Sequence, residues 1–129
     1  MEDARVALVD DLVDNTELLA AVLRHMCGIT GLVSFNSGKD FLSSFQRGMY
    51  DIVLLDLFMP EMSGYTVLES LRKVDPEVPV VAVTAYEKDR QKALDFGFSA
   101  FVAKPIIDIG HLCRLVTQFI NCSRLNRAA

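Results

Sequence analysis

The chain lacks an excess of positive charge. Its 129 residues carry 13 Lys and Arg against 17 Asp and Glu, a formal net charge of −4, and its pI is near 5.1. That leaves no global field to hold DNA, RNA or an anionic membrane, so nucleic acid is not expected as a direct partner. It also lacks any apolar run approaching the ~18 residues of a membrane span. The first residues, M-E-D-A-R, are acidic and lead straight into a strand-like run, unlike a signal peptide. The chain is therefore expected to be soluble and cytoplasmic. Cysteine is scarce and odd in number: Cys27, Cys113 and Cys122 share no metal-ligand spacing and fall within or beside helix-like apolar stretches. They are expected to be reduced core residues with no redox role. The two histidines, His25 and His111, have no acid or cysteine partner in view and are expected to be solvated or core groups.

What is present is a 51% hydrophobic, 23% charged composition, suited to one globular domain large enough to bury a core without staples. The central stretch is Tyr50 to Gly64, Y-D-I-V-L-L-D-L-F-M-P-E-M-S-G. The unbroken apolar run Ile52 to Leu55 predicts a parallel strand covered on both faces. It ends in Asp56, at the strand edge where open α/β sheets bind their ligands.

Four further strands follow from the same logic. Arg5 to Asp10 ends in Asp10-Asp11, Gly31 to Phe35 is a weaker run broken by Ser34, Val80 to Val83 leads into Thr84, and Ala100 to Ala103 leads into Lys104-Pro105. Helices are expected between them. The first is capped by Asp14 or Asn15, buries Leu18, Leu19, Val22, Leu23 and Met26, and stops at Gly28. The second carries Phe41, Leu42 and Phe45 after the Asn36-Ser37-Gly38 turn, and the third carries Val67, Leu68 and Leu71 as far as about Val74. The fourth, Glu87 to Phe96, is the poorest, with only Ala93, Leu94 and Phe96 to bury. Its start, Glu87 to Arg90, is a mixed charge run expected to be solvated. The last shows Leu112, Leu115, Val116, Phe119 and Ile120 at helical spacing. Residues 1–122 form the domain, and 123–129 read as a polar tail that frays or begins a linker. Strands alternating with helices predict an α/β sandwich around a parallel sheet.

The fold would gather Asp10, Asp11, Asp56, Thr84 and Lys104 at one edge. Three crowded carboxylates raise one another's proton affinity unless a cation neutralises them, and an all-oxygen set with few protein ligands suits Mg²⁺. A lysine and a threonine beside them are donors for a phosphoryl group. An aspartate there is a plausible nucleophile toward phosphorus.

In order and spacing, D-D after strand one, D-x-x-M-P-x-M-x-G around Asp56, T-A after strand four and K-P after strand five resemble the response-regulator receiver domains of two-component signalling. The resemblance covers nearly the whole chain. It implies a flavodoxin-like (βα)5 fold with sheet order 2-1-3-4-5, and Asp56 as phosphoacceptor from a phosphohistidine on a sensor histidine kinase or phosphotransfer protein. It implies Mg²⁺ on Asp11, Asp56 and the backbone carbonyl of Phe58, with Asp10 acting through a metal-bound water. Lys104 would pair with a phosphoryl oxygen, with a cis bond to Pro105. Thr84 and Phe101 would form the switch that reshapes the face of helix four, strand five and helix five. An effector domain or output protein would read that face.

Phe58 and Tyr86, two residues beyond Asp56 and Thr84, either restrict attacking water or simply point to solvent or a neighbour. The apolar stretch Ile106 to Gly110 is either a docking or homodimer patch or local core packing. Three other functions fit less well. A scaffold without phosphorylation has no need of all five site residues. A phosphatase with an aspartyl intermediate resembles D-x-D, and Phe58 stands where its second acid belongs. A nucleotide or flavin site would want a glycine-rich first loop, and this loop is D-D-L-V-D-N.

Overall fold

The computed structural model describes residues 3–128. Met1, Glu2 and Ala129, the outermost positions of the acidic start and the polar tail, lie outside them. Strands β1 (Arg5–Val9), β2 (Gly31–Phe35), β3 (Ile52–Leu55), β4 (Val80–Thr84) and β5 (Ala100–Ala103) alternate with helices α1 (Val13–Cys27), α2 (Gly38–Ser44), α3 (Gly64–Val74), α4 (Arg90–Phe96) and α5 (Ile109–Ala128). All pairings are parallel, in the order β2-β1-β3-β4-β5.

The continuous apolar runs have a simple cause: each strand feeds two cores, one per face, with period two. Ala7, Val9, Val53, Leu55, Val80, Ala82 and Phe101 join one cluster with Phe41 of α2, Val67, Leu68 and Leu71 of α3, and Ala93 of α4. Val6, Leu8, Ile52, Leu54, Val81, Val83 and Val102 join the other with Ala20 and Leu23 of α1 and Leu112, Val116 and Ile120 of α5. The sheet is thus sandwiched between α1 and α5 on one side and α2, α3 and α4 on the other. Among the described residues no helix is long and apolar enough to cross a membrane.

Several expectations need correction. Helix α1 is capped by the backbone of Leu12, whose side chain makes no cap bond, because Asp10 takes over the work: its Oδ1 accepts from Leu12 N–H at 3.0 Å. Leu18 and Met26 are exposed, since the stripe that meets the sheet is narrower than the full apolar set. In α4 only Ala93 is buried, while Leu94 and Phe96 stay exposed. A 3-10 turn over Glu87–Asp89 precedes it.

The C-terminal stretch is no frayed tail. Helix α5 runs on to Ala128, Ser123 is buried, and Arg127 pairs with Asp51, an acid at the foot of β3 that is only 2% exposed. Arg124 approaches the same carboxylate at 3.7 Å, so α5 is held to the far end of the sheet by charge as well as by its apolar stripe.

The cysteines also depart from expectation. Cys27, the last residue of α1, and Cys113, in the second turn of α5, form a disulfide with Cα atoms 5.3 Å apart. The packing of α1 against α5 over one core brings together residues 86 apart in sequence. Cys122 is free and exposed.

Candidate functional site

The strand order puts β3 between β1 and β4, so the loops leaving β1, β3, β4 and β5 open side by side. Register then sets the depth. Val9 pairs with Leu55, and Thr84 with Ala103, which places Asp10, Asp56, Thr84 and Lys104 at one edge. Ligating oxygens of Asp10, Asp11 and Asp56 all lie within 4.8 Å of one another. One cation faces them: Lys104 Nζ donates to Asp10 Oδ2 at 2.6 Å and stands 3.9 Å from Asp56 Oδ2. Three carboxylates against one ammonium leave a surplus of negative charge in a half-buried pocket, the donor set that a hard divalent cation takes up.

Burial pushes the Asp56 carboxyl above the usual carboxylate range; Lys104 pulls it down, Asp10 pushes it up, and the Phe58 N–H and Asp11 act in opposite senses more weakly. Phe58 N–H points at Asp56 Oδ1 over a long 3.5 Å. Thr84 closes β4 and is 1% exposed. Its carbonyl accepts from Lys104 N–H at 2.8 Å, and the Lys104–Pro105 bond is cis.

Three residues support this site in ways the sequence does not show: Asn15 reads as a helix cap, Asn36 as part of a turn and Gly64 as the glycine of the motif around Asp56. Asn15 Nδ2 donates to Asp10 Oδ2 at 3.1 Å, and Asn36 Nδ2 donates to the Asp10 carbonyl at 2.9 Å. Together with Leu12 N–H and Lys104 they fix both ends of Asp10. Gly64 is the third. A Cβ there would sit 2.4 Å from the Asp56 carbonyl oxygen and 2.9 Å from Leu57 Cα, and Gly64 N–H donates to the Leu57 carbonyl at 2.8 Å. The chain folds back so tightly over Asp56 that only glycine fits. Ser63 then caps α3 by accepting from Thr66 N–H.

Phe101 is buried in the core that faces α4, with the Arg90 guanidinium 4.8 Å from its ring centroid. Arg90 is in turn held by both oxygens of Glu87. Phe58 and Tyr86 are 45% and 51% exposed and touch each other, so each points at a neighbour as well as toward solvent. The stretch after Pro105 divides: Ile106 and Ile109 are half-buried, and Ile107 is 88% exposed. His25 and His111 are exposed and stand away from the acidic cluster.

Fold and site together define an open, doubly wound α/β domain with an acidic pocket, paired with one lysine, at the carboxyl edge of its sheet. Residues 6–117 match the model of the response regulator receiver domain, and the chain belongs to that family. A Leptolyngbya boryana protein described as an uncharacterized 14.6 kDa protein is 34% identical over 118 residues, 88% of either chain. The response regulator PleD of Caulobacter vibrioides is 39% identical over 123 residues, 90% of this chain but only 26% of PleD. Among solved structures, the receiver domain of the Pseudomonas aeruginosa sensor histidine kinase PA1611, with a magnesium ion in its active site cleft, is 28% identical with a TM-score of 0.78, covering 92% of this chain and 98% of that one. The Thermotoga maritima response regulator TrrA, in complex with Mg²⁺ and BeF, is 28% identical with a TM-score of 0.79, covering 90% and 98%.

Proposed function

We propose that this domain is a phosphorylation-driven switch in which Asp56 accepts a phosphoryl group from a phosphohistidine on a sensor histidine kinase or phosphotransfer protein. The observation that carries this reading is the convergence of Asp56 with Asp10, Asp11 and Lys104 in one pocket. An Asp56 carboxylate oxygen forms the new P–O bond as the P–N bond to the donor imidazole breaks. The domain is no general enzyme: it catalyses only its own phosphorylation and slow dephosphorylation.

Mg²⁺ fits the residues present. Asp11, Asp56 and the Phe58 carbonyl would hold it, with Asp10 acting through water, and when bound it offsets charge on the carboxylates and the phosphoryl oxygens. Lys104 sits at 2.6 Å from Asp10 and 3.9 Å from Asp56. It exchanges a carboxylate partner for a phosphoryl oxygen as the group arrives. Thr84 donates its hydroxyl to the same group, and the ring of Phe101 rearranges with it, so the face of α4, β5 and α5 changes shape. The single buried side chain of α4, Ala93, keeps the cost of moving that helix low.

The protein works in the cytoplasm, and an effector domain or output protein reads the altered face. Incubation with Mg²⁺ and acetyl phosphate should add one phosphoryl mass, and beryllofluoride should shift backbone amide resonances. Both responses should require Mg²⁺ and vanish in Asp56→Asn. No response in either protein would leave a constitutive scaffold as the better reading.

A further inference from the structure

Two sulfur-bearing residues lie outside the acidic pocket and take no part in phosphoryl transfer. Cys27 ends α1 and Cys113 lies in the second turn of α5, their Cα atoms 5.3 Å apart, inside the roughly 4.4–6.8 Å that a disulfide spans without moving the backbone. Both are half-buried. Cys27 packs against the same core cluster as Leu112 and Val116, the neighbours of Cys113 on α5. The pair therefore sits on the seam between the two helices, and neither residue is fully buried. Cys122 lies nine residues beyond Cys113 on the same helix, about half a rotation around the axis and ~13 Å along it, so it cannot exchange with the pair within one molecule.

The seam has a second property. Helix α1, through Asn15, Leu19 and Val22, and the start of α5, through Ile109, form two walls of a groove of about 520 Å³ that opens on Asp10, Asp56 and Lys104. Asn15 on the α1 wall is also the group that donates to Asp10 Oδ2. A covalent bond between the helices fixes the walls of this groove relative to each other.

We propose that Cys27 and Cys113 form a thiol–disulfide site that a small-molecule disulfide closes and a dithiol reopens, clamping the C-terminal end of α1 to the second turn of α5. In the closing direction one cysteine thiolate attacks a sulfur of the small disulfide, forming a mixed disulfide and expelling one thiolate. The second cysteine thiolate then attacks the protein-bound sulfur and expels the other. Two electrons pass to the reagent, which leaves as two thiols, and the two cysteine protons are taken up by the expelled thiolates. A dithiol reverses each step. This exchange stands independently of phosphoryl transfer at Asp56.

The test uses the whole chain in its native buffer. Samples equilibrated with oxidised glutathione or with dithiothreitol are quenched, unfolded and alkylated, and the added groups are counted by mass. With Cys122→Ser in both samples, because the exposed Cys122 thiol would itself exchange with glutathione, no alkylation is expected after the disulfide and two after the dithiol, with the oxidised form lighter by two hydrogen atoms and the change repeatable in both directions. Hydrogen exchange read on the same samples should show α1 amides exchanging several-fold faster after reduction, and Cys27→Ser should show the faster rate in both buffers. Alkylation or glutathionylation of Cys27 and Cys113 after glutathione treatment, a bridge that dithiothreitol fails to open in the folded protein, or α1 exchange indifferent to the state of the pair would each overturn the proposal.

Discussion

The rings of Phe58 and Tyr86 meet edge to face, centroids 4.7 Å apart and inclined by 71°, although the two residues belong to different loops, one following Asp56 and the other Thr84. Aromatic pairs of this geometry add roughly 0.5–1.5 kcal/mol beyond burial, enough to hold the two loops in register. On the phosphoacceptor reading they shield the carboxyl edge from water. Phe58→Asn breaks the contact and brings in a polar group, and the phosphorylated state should decay about tenfold faster, ~1.4 kcal/mol of barrier. Loss of radiolabelled phosphate over time reads the rate directly, and an unchanged half-life would dispose of the shielding role.

The close approach of Gly64 to the backbone of Asp56 makes a sharper claim on stability. Gly64→Ala places its Cβ against a carbonyl oxygen at 2.4 Å, where no flexible side chain can yield. Overpacking of this kind costs about 1–3 kcal/mol, expected as a lowered urea midpoint with unchanged slope. The strain falls on the loop that carries Asp56, so on the phosphoacceptor reading the variant should also take up phosphoryl groups more slowly.

Asp56 itself opposes folding at neutral pH when no cation is present. Its carboxyl is held above its ordinary value, chiefly by burial, so the folded chain binds its proton more tightly than the unfolded one. Stability therefore falls as pH rises from the unfolded carboxylate range through the raised folded value, and the penalty is complete only above that value. In chelator, Asp56→Asn should be more stable than the parent at pH 7, and the advantage should vanish near pH 3. Mg²⁺ should narrow it from the other side, since a cation at 100 times its Kd stabilises the parent by ~2.7 kcal/mol. Thermal melts at two pH values, with and without Mg²⁺, check both signs.

At the opposite end of the sheet, Arg127 anchors α5 to the buried carboxylate of Asp51 and donates to Ser123 Oγ. Arg127→Ala leaves Asp51 with Arg124 at 3.7 Å and the Arg5 N–H at 2.9 Å. Loss of one charged partner from such a group should cost roughly 1–3 kcal/mol, with α5 amides beyond Cys122 losing exchange protection first.

Strands and site residues were legible because both are local signals. Runs such as Ile52 to Leu55 and Val80 to Val83 are apolar on every residue, since each position feeds one of two cores. The acids and the lysine stand directly after them. What the sequence concealed are contacts between residues far apart. Asn36 reaches Asp10 across 26 residues, Arg127 reaches Asp51 across 76, and Cys27 meets Cys113 across 86. None has a periodicity or a motif of its own. Asn15 reads equally well as a cap, and the polar composition after residue 122 reads as a tail until its partner at the foot of β3 is known. Gly64 was visible as a turn glycine, but its lack of room depends on how the chain passes back over Asp56.

The cross-link between α1 and α5 also redraws the path along which the molecule carries force. Tension applied at the two ends enters through β1 and α1, crosses at Cys27 and Cys113, and leaves along α5, while β2 to β5 lie inside a closed loop 86 residues around. Opened by reduction, that loop would add roughly 300 Å of extensible chain, at ~3.6 Å per residue. With the bond closed, most of the sheet is out of reach of pulling, and a protease cut anywhere between the two cysteines leaves both fragments tethered.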